Sequence, residues 1–243
     1  MKRLLLLLAL LPLGLQAQDS AEVVVGRYLK LLSYDSLPKD STLVMETTIS
    51  FHGSNDTFTM RRWFTPPSMM RLEVWHGDAL QTGLCTNGSN RYREFIRRMD
   101  WWEDVKPEEF QSKMEAYDFR GGLFNWQARG IQLEYRGVVL FKGQRLQVVR
   151  AKQKDHFTRY YMFEEQSGLL VLVQEKDEDD DNTNIDLKPL HVKPMEYKVF
   201  HEYQPLGGSL VVRQESFMRE GVLTVMETRA HFEPRTPLLF NQD

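Results

Sequence analysis

TLVMETTISFHGSNDTFTMRRWF, residues 42–64, predicts a β-hairpin. Side chains alternate between the two faces of a strand, so large apolar groups at every second position indicate one buried face. Residues 53–56, Gly-Ser-Asn-Asp, supply the turn between the two strands. The residues that share a face are Leu43, Met45, Thr47, Ile49 and Phe51 before the turn, and Phe58, Met60, Arg62 and Phe64 after it.

The two-residue period continues beyond the hairpin in short segments separated by turn residues. Pro66 and Pro67 end the second strand because proline has no amide hydrogen for the ladder. The fold class is therefore predicted to be mainly β (α+β), with about eleven or twelve antiparallel strands and two helices. Further strands are expected at residues 69–75, 81–86, 91–95, 131–140, 144–151, 157–163, 169–174, 196–203, 209–218 and 222–232.

Two segments have helical periodicity. Ser20 is a suitable N-cap, and apolar residues at three- and four-residue spacing predict a short helix to about Leu32. Residues 100–126 are predicted to form a helical insert between the two runs of strands, starting near Pro107, which is tolerated in a first helical turn. The residues that line one face of this second helix are Phe110, Met114 and Tyr117.

The start of the chain resembles a targeting segment rather than part of the fold. Lys2 and Arg3 precede an apolar run at residues 4–15, and the small residue Ala17 follows at a suitable cleavage position. The run is shorter than the roughly 20 apolar residues that span a bilayer. Residues 1–17 are therefore predicted to be a signal peptide, and residues 18–243 are expected to form one domain outside the cytoplasm.

Composition narrows the function classes. The formal charge is −3, and it falls to −5 without Lys2 and Arg3, which argues against a nucleic-acid-binding protein. Cys85 is the only cysteine, so no internal disulfide forms, and its strand position favours a small buried apolar residue over a reactive thiol. The loop at residues 175–188 contains a contiguous acidic run and lacks the spacing of a calcium site, so it is predicted to be solvated.

Local motifs for catalysis or metal binding are absent from the sequence. It contains no G-x-S-x-G elbow, no H-E-x-x-H and no Walker loop, and no two histidines lie within five residues of each other. We therefore expect a non-enzymatic protein with no catalytic residue, no metal site and no cofactor. A site assembled from distant residues is the alternative that sequence leaves open.

Several predicted strands carry large apolar side chains on both faces. Trp63 with Phe64, and Tyr161 with Met162, are adjacent pairs of this kind. A sheet with one solvated face alternates cleanly, so two apolar faces indicate either a sheet covered on both sides or a sheet that curls around a cavity. Methionine and aromatic side chains suit a pocket for flexible apolar ligands as well as an ordinary core, and both interpretations stay open.

The order of these segments, together with three local motifs, resembles a known family. RWFTPPSMMRLEV at residues 62–74 is followed by CTNGSNRYR at residues 85–93, and YYMFEEQSGLLV occupies residues 160–171. These motifs are similar to those of LolA and the periplasmic lipoprotein-sorting superfamily around it. The resemblance implies a strongly curved antiparallel sheet, an incomplete barrel, with an N-terminal helix and a helical lid over a hydrophobic cavity.

The resemblance also implies a function. It suggests a periplasmic carrier or chaperone, soluble after cleavage, that shields the acyl chains of lipoproteins or phospholipid during sorting to the outer membrane. Its implied partners are the lipoprotein machinery of the inner and outer membranes, with transient membrane contact and no nucleic acid. The residues expected to bind lipid are Phe58, Met60, Phe64, Met70, Leu72 and Val74 on the sheet, and Phe110, Met114, Phe124 and Trp126 on the lid.

One feature departs from the family pattern. The carrier has an arginine immediately before the proline of the first motif, which ties the lid shut, whereas this chain has Pro66 before Pro67. Arg61, Arg62 and Arg71 are the candidates to replace it. Since the lid would then be held differently, an envelope sensor or interaction protein of the same fold, without lipid transport, is the alternative function.

Overall fold

The computed structural model describes residues 20–34, 37–66, 68–89, 91–107, 109–110, 113, 120–153, 158–176, 197–219 and 221–235. The predicted signal peptide at residues 1–17 lies outside these ranges, as do Met114, Tyr117 and the acidic run of the 175–188 loop. Among the described residues, no helix has the length and apolar character needed to cross a membrane.

Helix α1 (Ala21–Leu32) begins and ends where the sequence predicts. The Ser20 side chain accepts a hydrogen bond from the amide of Val23 at 3.3 Å, which satisfies one of the free donors of the first turn. At the other end Ser33 adopts a left-handed conformation with φ 40°, and its amide donates to the carbonyl of Leu29. The buried face of α1 consists of Ala21, Val24, Val25, Tyr28 and Leu32.

The strands of the described residues form one antiparallel sheet of 13 strands, in the order β6-β5-β4-β3-β2-β1-β13-β12-β11-β10-β9-β8-β7. The sheet is not closed into a barrel, because β6 and β7 are its outermost strands. The strands are β1 (Ser41–Phe51), β2 (Thr57–Thr65), β3 (Met69–His76), β4 (Ala79–Thr86), β5 (Tyr92–Ile96), β6 (Trp101–Asp104), β7 (Gln132–Phe141), β8 (Gln144–Lys152), β9 (Thr158–Glu164), β10 (Leu170–Lys176), β11 (Tyr197–Leu206), β12 (Ser209–Arg219) and β13 (Val222–Pro234).

Strand β6 is the strand that the sequence analysis missed, and the predicted count of eleven or twelve is therefore wrong. It lies inside the segment 100–126, which was expected to be a helical insert. It pairs with β5 through Phe95–Trp102 and Ile96–Trp101, so a helical segment can start only after Asp104. Helical backbone is present at Pro107, Glu109, Phe110 and Lys113, whereas residues 122–130 form turns.

The two halves of the chain are joined through β1 and β13, whose register runs from Ser41–Pro234 to Phe51–Thr224. Near the middle of this pairing, the buried hydroxyls of Thr47 and Thr228 are 2.9 Å apart. This pairing converts two separate meanders into a continuous sheet with a shared core.

Helix α1 packs against β7, β8 and β12. Three strands lie between β8 and β12 in the sheet order, and neighbouring strands are about 4.8 Å apart. Residues of β9, β10 and β11 pack in the same cluster as α1, so the helix covers this part of the sheet. We call the face of the sheet that is packed against α1 and Tyr34 the inner face, and the opposite face the outer face.

Both faces of the second meander are buried, as the paired apolar residues predicted. Val149, Tyr161 and Phe163 on the inner face are at most 5% exposed and pack against α1. Leu146, Val148 and Met162 on the outer face are fully buried, in a second cluster with Tyr160 and Leu172. Adjacent positions on β8 and β9 therefore contribute to different cores.

Candidate functional site

The strand register places all six sheet residues expected to bind lipid on one face. Phe58 lies opposite Ile49, Met60 opposite Thr47 and Phe64 opposite Leu43 in the pairing of β1 with β2. The β2–β3 pairing then aligns Met60 with Val74, Arg62 with Leu72 and Phe64 with Met70. Phe64 packs in a cluster with Leu43, Met45 and Tyr34, the second residue after α1, so this is the inner face.

Burial changes along the inner face of the first meander. Leu43, Phe64 and Leu72, at or near the end where β1 begins, are 1–6% exposed. Towards the β1–β2 turn, large apolar residues of the same face are only half-buried. We call this half-buried set the apolar patch; it consists of Ile49, Phe51, Phe58, Val74 and Met226.

The apolar patch is continuous with the core and ends at an aromatic edge. Ile49, Val74 and Met226 pack against the buried cluster formed by Met60, Leu72, Leu84 and Phe110. The rings of Phe51 and Phe58 meet edge to face at 5.8 Å, and Phe58 stacks on His76 at 4.6 Å. An apolar surface therefore extends from the core to an exposed end of the sheet.

The predicted lid residues do not form one group. Phe110 is 4% exposed and its ring lies 5.1 Å from Tyr92, so this residue covers the first meander. Phe124 meets Tyr34 edge to face at 6.4 Å, while Trp126 packs with α1 and the second meander. Met114 lies outside the described residues. Of the predicted lid residues that the structure describes, Phe110 is the one that packs in a cluster with Met60 and Leu72.

Arginine residues on the two faces have different roles. Of the candidates to replace the arginine of the family motif, Arg62 is on the inner face and donates from Nη2 to Oγ1 of Thr47 at 3.1 Å. Arg61 and Arg71 are both on the outer face, and Arg61 pairs there with Glu46. A different residue, Arg120, bridges the turn that carries Phe124 and the sheet, since its guanidinium lies 4.1 Å from the Phe124 ring and 5.6 Å from the Phe64 ring.

The helical segment after β6 is also held by an ion pair. Lys113 bonds to Glu94 on the inner face of β5 and to Glu109 at 3.1 Å. The hydrogen bond to Glu94 is the main reason why the pKa of Lys113 is raised above its usual value, although partial burial opposes it. The pair anchors the segment that carries Phe110 over the apolar core.

The outer face of the first meander carries a polar and aromatic cluster that the sequence analysis did not identify. Arg71 is 8% exposed and Glu73 is 6% exposed; Nε of Arg71 donates to Oε1 of Glu73 at 2.8 Å. Nε1 of Trp75 donates to the second carboxylate oxygen at 3.0 Å. The guanidinium also stacks between Trp102 at 5.3 Å and Trp63 at 5.9 Å.

The one feature of the sequence that indicates this cluster is the two-residue spacing of Arg71 and Glu73, because residues two apart on a strand share a face. The Trp102 ring belongs to β6, the strand that sequence missed, and it rests against Gly83, where a Cβ atom would lie 2.5 Å from the ring. The cluster thus fixes the edge strand β6 to the rest of the sheet.

The described residues offer little for covalent or metal chemistry. Cys85 is buried, as predicted, and burial raises the pKa of its thiol despite the opposing influence of Arg71 and Arg93. Within the described ranges, no group of three or more His, Cys, Asp and Glu side chains is placed to hold a metal ion. The arrangement is suited to burying apolar surface.

Sequence comparisons leave the chain unplaced, since no family model and no curated protein matches it. Structural comparison is more informative. The chain is similar to a LolA superfamily protein of Nitrosomonas europaea, with a TM-score of 0.60, 7% identity, and coverage of 93% of this chain and 99% of that one. A DUF1329 family protein of Desulfovibrio piger gives a TM-score of 0.57, 12% identity, and coverage of 92% and 98%.

A third solved structure points the same way. A putative outer membrane lipoprotein-sorting protein domain of Vibrio parahaemolyticus has a TM-score of 0.52 and 10% identity, covering 89% of this chain and 97% of its own. Nearly the whole length of each neighbour is matched, so the agreement concerns the complete sheet with its helix rather than a shared hairpin. The chain therefore has a LolA-like fold.

Proposed function

We propose that this protein is a non-enzymatic periplasmic carrier or chaperone that binds the acyl chains of lipoproteins or lipids on the inner face of its open sheet, for outer-membrane lipoprotein sorting. The observation that carries the proposal is the apolar patch, which is half-buried and continuous with the core. Each methylene buried there is worth about 0.8 kcal/mol, so a few acyl chains give firm binding without any covalent step.

The likeness to a putative lipoprotein-sorting domain supports the same function, as does the LolA-like fold. The alternative is an envelope sensor or interaction protein whose inner face is a closed core. The tight burial of Met60, Leu72 and Phe110, at 1–4% exposure, favours this alternative for that part of the face. The two functions make opposite predictions about bound lipid.

The test is native mass spectrometry with lipid extraction, on protein purified from the periplasm without detergent. The carrier function predicts bound phospholipid or acylated peptide, and Val74→Asp should remove it because a carboxylate in the apolar patch opposes acyl binding. Thr59→Asp is the matched control, since Thr59 lies next to Phe58 on the outer face, opposite Trp75. An apo mass for the wild type, with no gain on adding lipopeptide, would leave the sensor function.

A further inference from the structure

The turn between β5 and β6 carries an unusual combination of exposed side chains. Met99 is 43% exposed and Trp101 is 56% exposed, among the most exposed large apolar residues that the structure describes. Arg97 and Arg98 are exposed beside them, and neither forms a salt bridge with a described residue. We call residues 97–101 the hairpin tip; its two arginines outnumber its acidic residue, Asp100.

The hairpin tip has a defined backbone. The amides of Met99 and Asp100 both donate to the carbonyl of Ile96, at 3.0 and 2.9 Å. Asp100 adopts a left-handed conformation with φ 57°, which aspartate tolerates better than most residues. The basic and apolar side chains are therefore presented together on an ordered turn, and docking requires little further ordering of the backbone.

The hairpin tip lies at the same end of the sheet as the apolar patch. Val74 pairs with Thr82, and the next residue, Gly83, pairs with Phe95. Strand β5 therefore ends at Ile96 on the level of Val74. Leu84 on the inner face pairs with Glu94, so alternation puts Ile96 on the inner face as well, with Trp101 opposite it. Trp101 thus lies at the edge of the sheet, on the inner face and level with Val74.

We propose that the hairpin tip docks the open end of the inner face onto a bilayer that contains anionic phospholipid. This inference rests on the proposed function and names the surface on which that site exchanges its cargo. Tryptophan is enriched at the membrane–water interface, where its ring is apolar and its N–H is hydrated. Arginine binds phosphate with parallel hydrogen bonds, and Arg97 and Arg98 have no competing partner among the described residues.

Charge complementarity is local rather than global. The chain as a whole is formally −3, so a general attraction to anionic lipid is not expected. Each basic residue near an anionic leaflet contributes roughly a fivefold gain in partitioning. The hairpin tip therefore orients the protein on the bilayer, with the apolar patch facing the lipid. A protein partner with an acidic surface is the competing occupant, and the experiment separates the two.

The experiment measures partitioning of the full chain into phosphatidylcholine vesicles with and without phosphatidylglycerol. Arg97→Glu/Arg98→Glu should lower partitioning into the anionic vesicles about 25-fold or more. The matched control is Lys39→Glu/Arg229→Glu, which changes the charge equally at exposed positions away from the tip. Met99→Ser/Trp101→Ser is compared with Val23→Ser/Leu140→Ser, since Val23 and Leu140 are 52% and 68% exposed elsewhere.

A selective loss in both tip variants supports the proposal. Equal partitioning of tip and control variants, or no preference for anionic vesicles in the wild type, would overturn it and leave a protein partner as the occupant. A second readout keeps the test valid if a tip variant fails to fold. The emission of a polarity-sensitive dye attached to Met99→Cys, in a Cys85→Ala background, should shift to the blue when anionic vesicles are added. The same dye on Leu140→Cys should not shift, and an equal shift would also contradict the proposal.

Failure of this inference can be told apart from failure of the proposed function. The Arg97→Glu/Arg98→Glu variant leaves the apolar patch intact, so it should retain any co-purified lipid while losing vesicle binding. If the wild type carries no lipid at all, the carrier function fails, yet selective vesicle binding through the tip is still measured. If lipid is present and vesicle binding does not depend on the tip, only the docking surface is wrong.

Discussion

Replacing Arg71 with methionine is expected to destabilise the protein by about 3–5 kcal/mol, because it leaves a buried carboxylate without its cation. Glu73 is 6% exposed, and of its hydrogen bonds with described residues only the one from the indole N–H of Trp75, at 3.0 Å, survives the substitution. Trp63 and Trp102 also lose the guanidinium that lies between them, a further effect of about 0.5–2 kcal/mol. The expected result is a loosened edge strand β6 as well as a lower free energy of unfolding.

Urea unfolding followed by circular dichroism measures the effect. A loss of this size should lower the midpoint by about 1–2 M. Arg61→Met is the matched control on the same face, since the side chains of Arg61 and Glu46 are 48% and 50% exposed, and it should cost less than about 1 kcal/mol. Arg71→Met/Glu73→Leu should recover most of the loss. Equal losses for Arg71→Met and Arg61→Met, or no recovery in the double variant, would show that the buried Arg71–Glu73 pair does not have this role.

Three further predictions concern the helical segment after β6, the Cys85 thiol and the packing of β6. Lys113→Met should increase hydrogen exchange at the amide of Phe110, and unchanged exchange would contradict this. Because the pKa of Lys113 is raised, its contribution of at most about 1 kcal/mol to the free energy of unfolding should be complete below pH 10.5 and lost as pH rises further. Cys85 should resist a thiol reagent in the native state and react fully in urea, since burial raises its pKa; rapid native labelling would show that the strand is open. Gly83→Ala should displace the Trp102 ring, alter the near-ultraviolet circular dichroism and lower the free energy of unfolding by about 1–3 kcal/mol. Gly26→Ala, whose Cβ meets nothing within 4 Å, should instead stabilise α1, and equal effects of the two substitutions would exclude the close contact at Gly83.

Much of the sheet follows from local chemistry. The two-residue apolar period and the turn residues predict the strands on both sides of residues 53–56, and hairpin turns keep Phe58, Met60 and Val74 on one face. The capped helix α1 follows equally well from Ser20 and the spacing of its apolar residues. These features depend on neighbours within a few residues, which is why a single sequence is enough to predict them.

Other features depend on distant pairing. Thr47 meets Thr228 across 181 residues, and no local period indicates that β1 pairs with β13. Strand β6 was missed because Trp101–Asp104 is short and shows no clear alternation, so only its pairing with β5 defines it. The burial of Arg71 and Glu73 likewise depends on Trp102, which β6 brings across Gly83. The split of the predicted lid residues, with Phe110 and Trp126 in different clusters, follows from the same long-range packing.

The most direct test of acyl binding on the inner face is photo-crosslinking from adjacent positions. A photoreactive phenylalanine is placed at Phe58, on the inner face, and in a second protein at Thr59, on the outer face of the same strand. After incubation with a triacylated lipopeptide and irradiation, we expect the acyl chains to crosslink to position 58 and not to position 59. Equal crosslinking from both positions, or none from position 58, would contradict it.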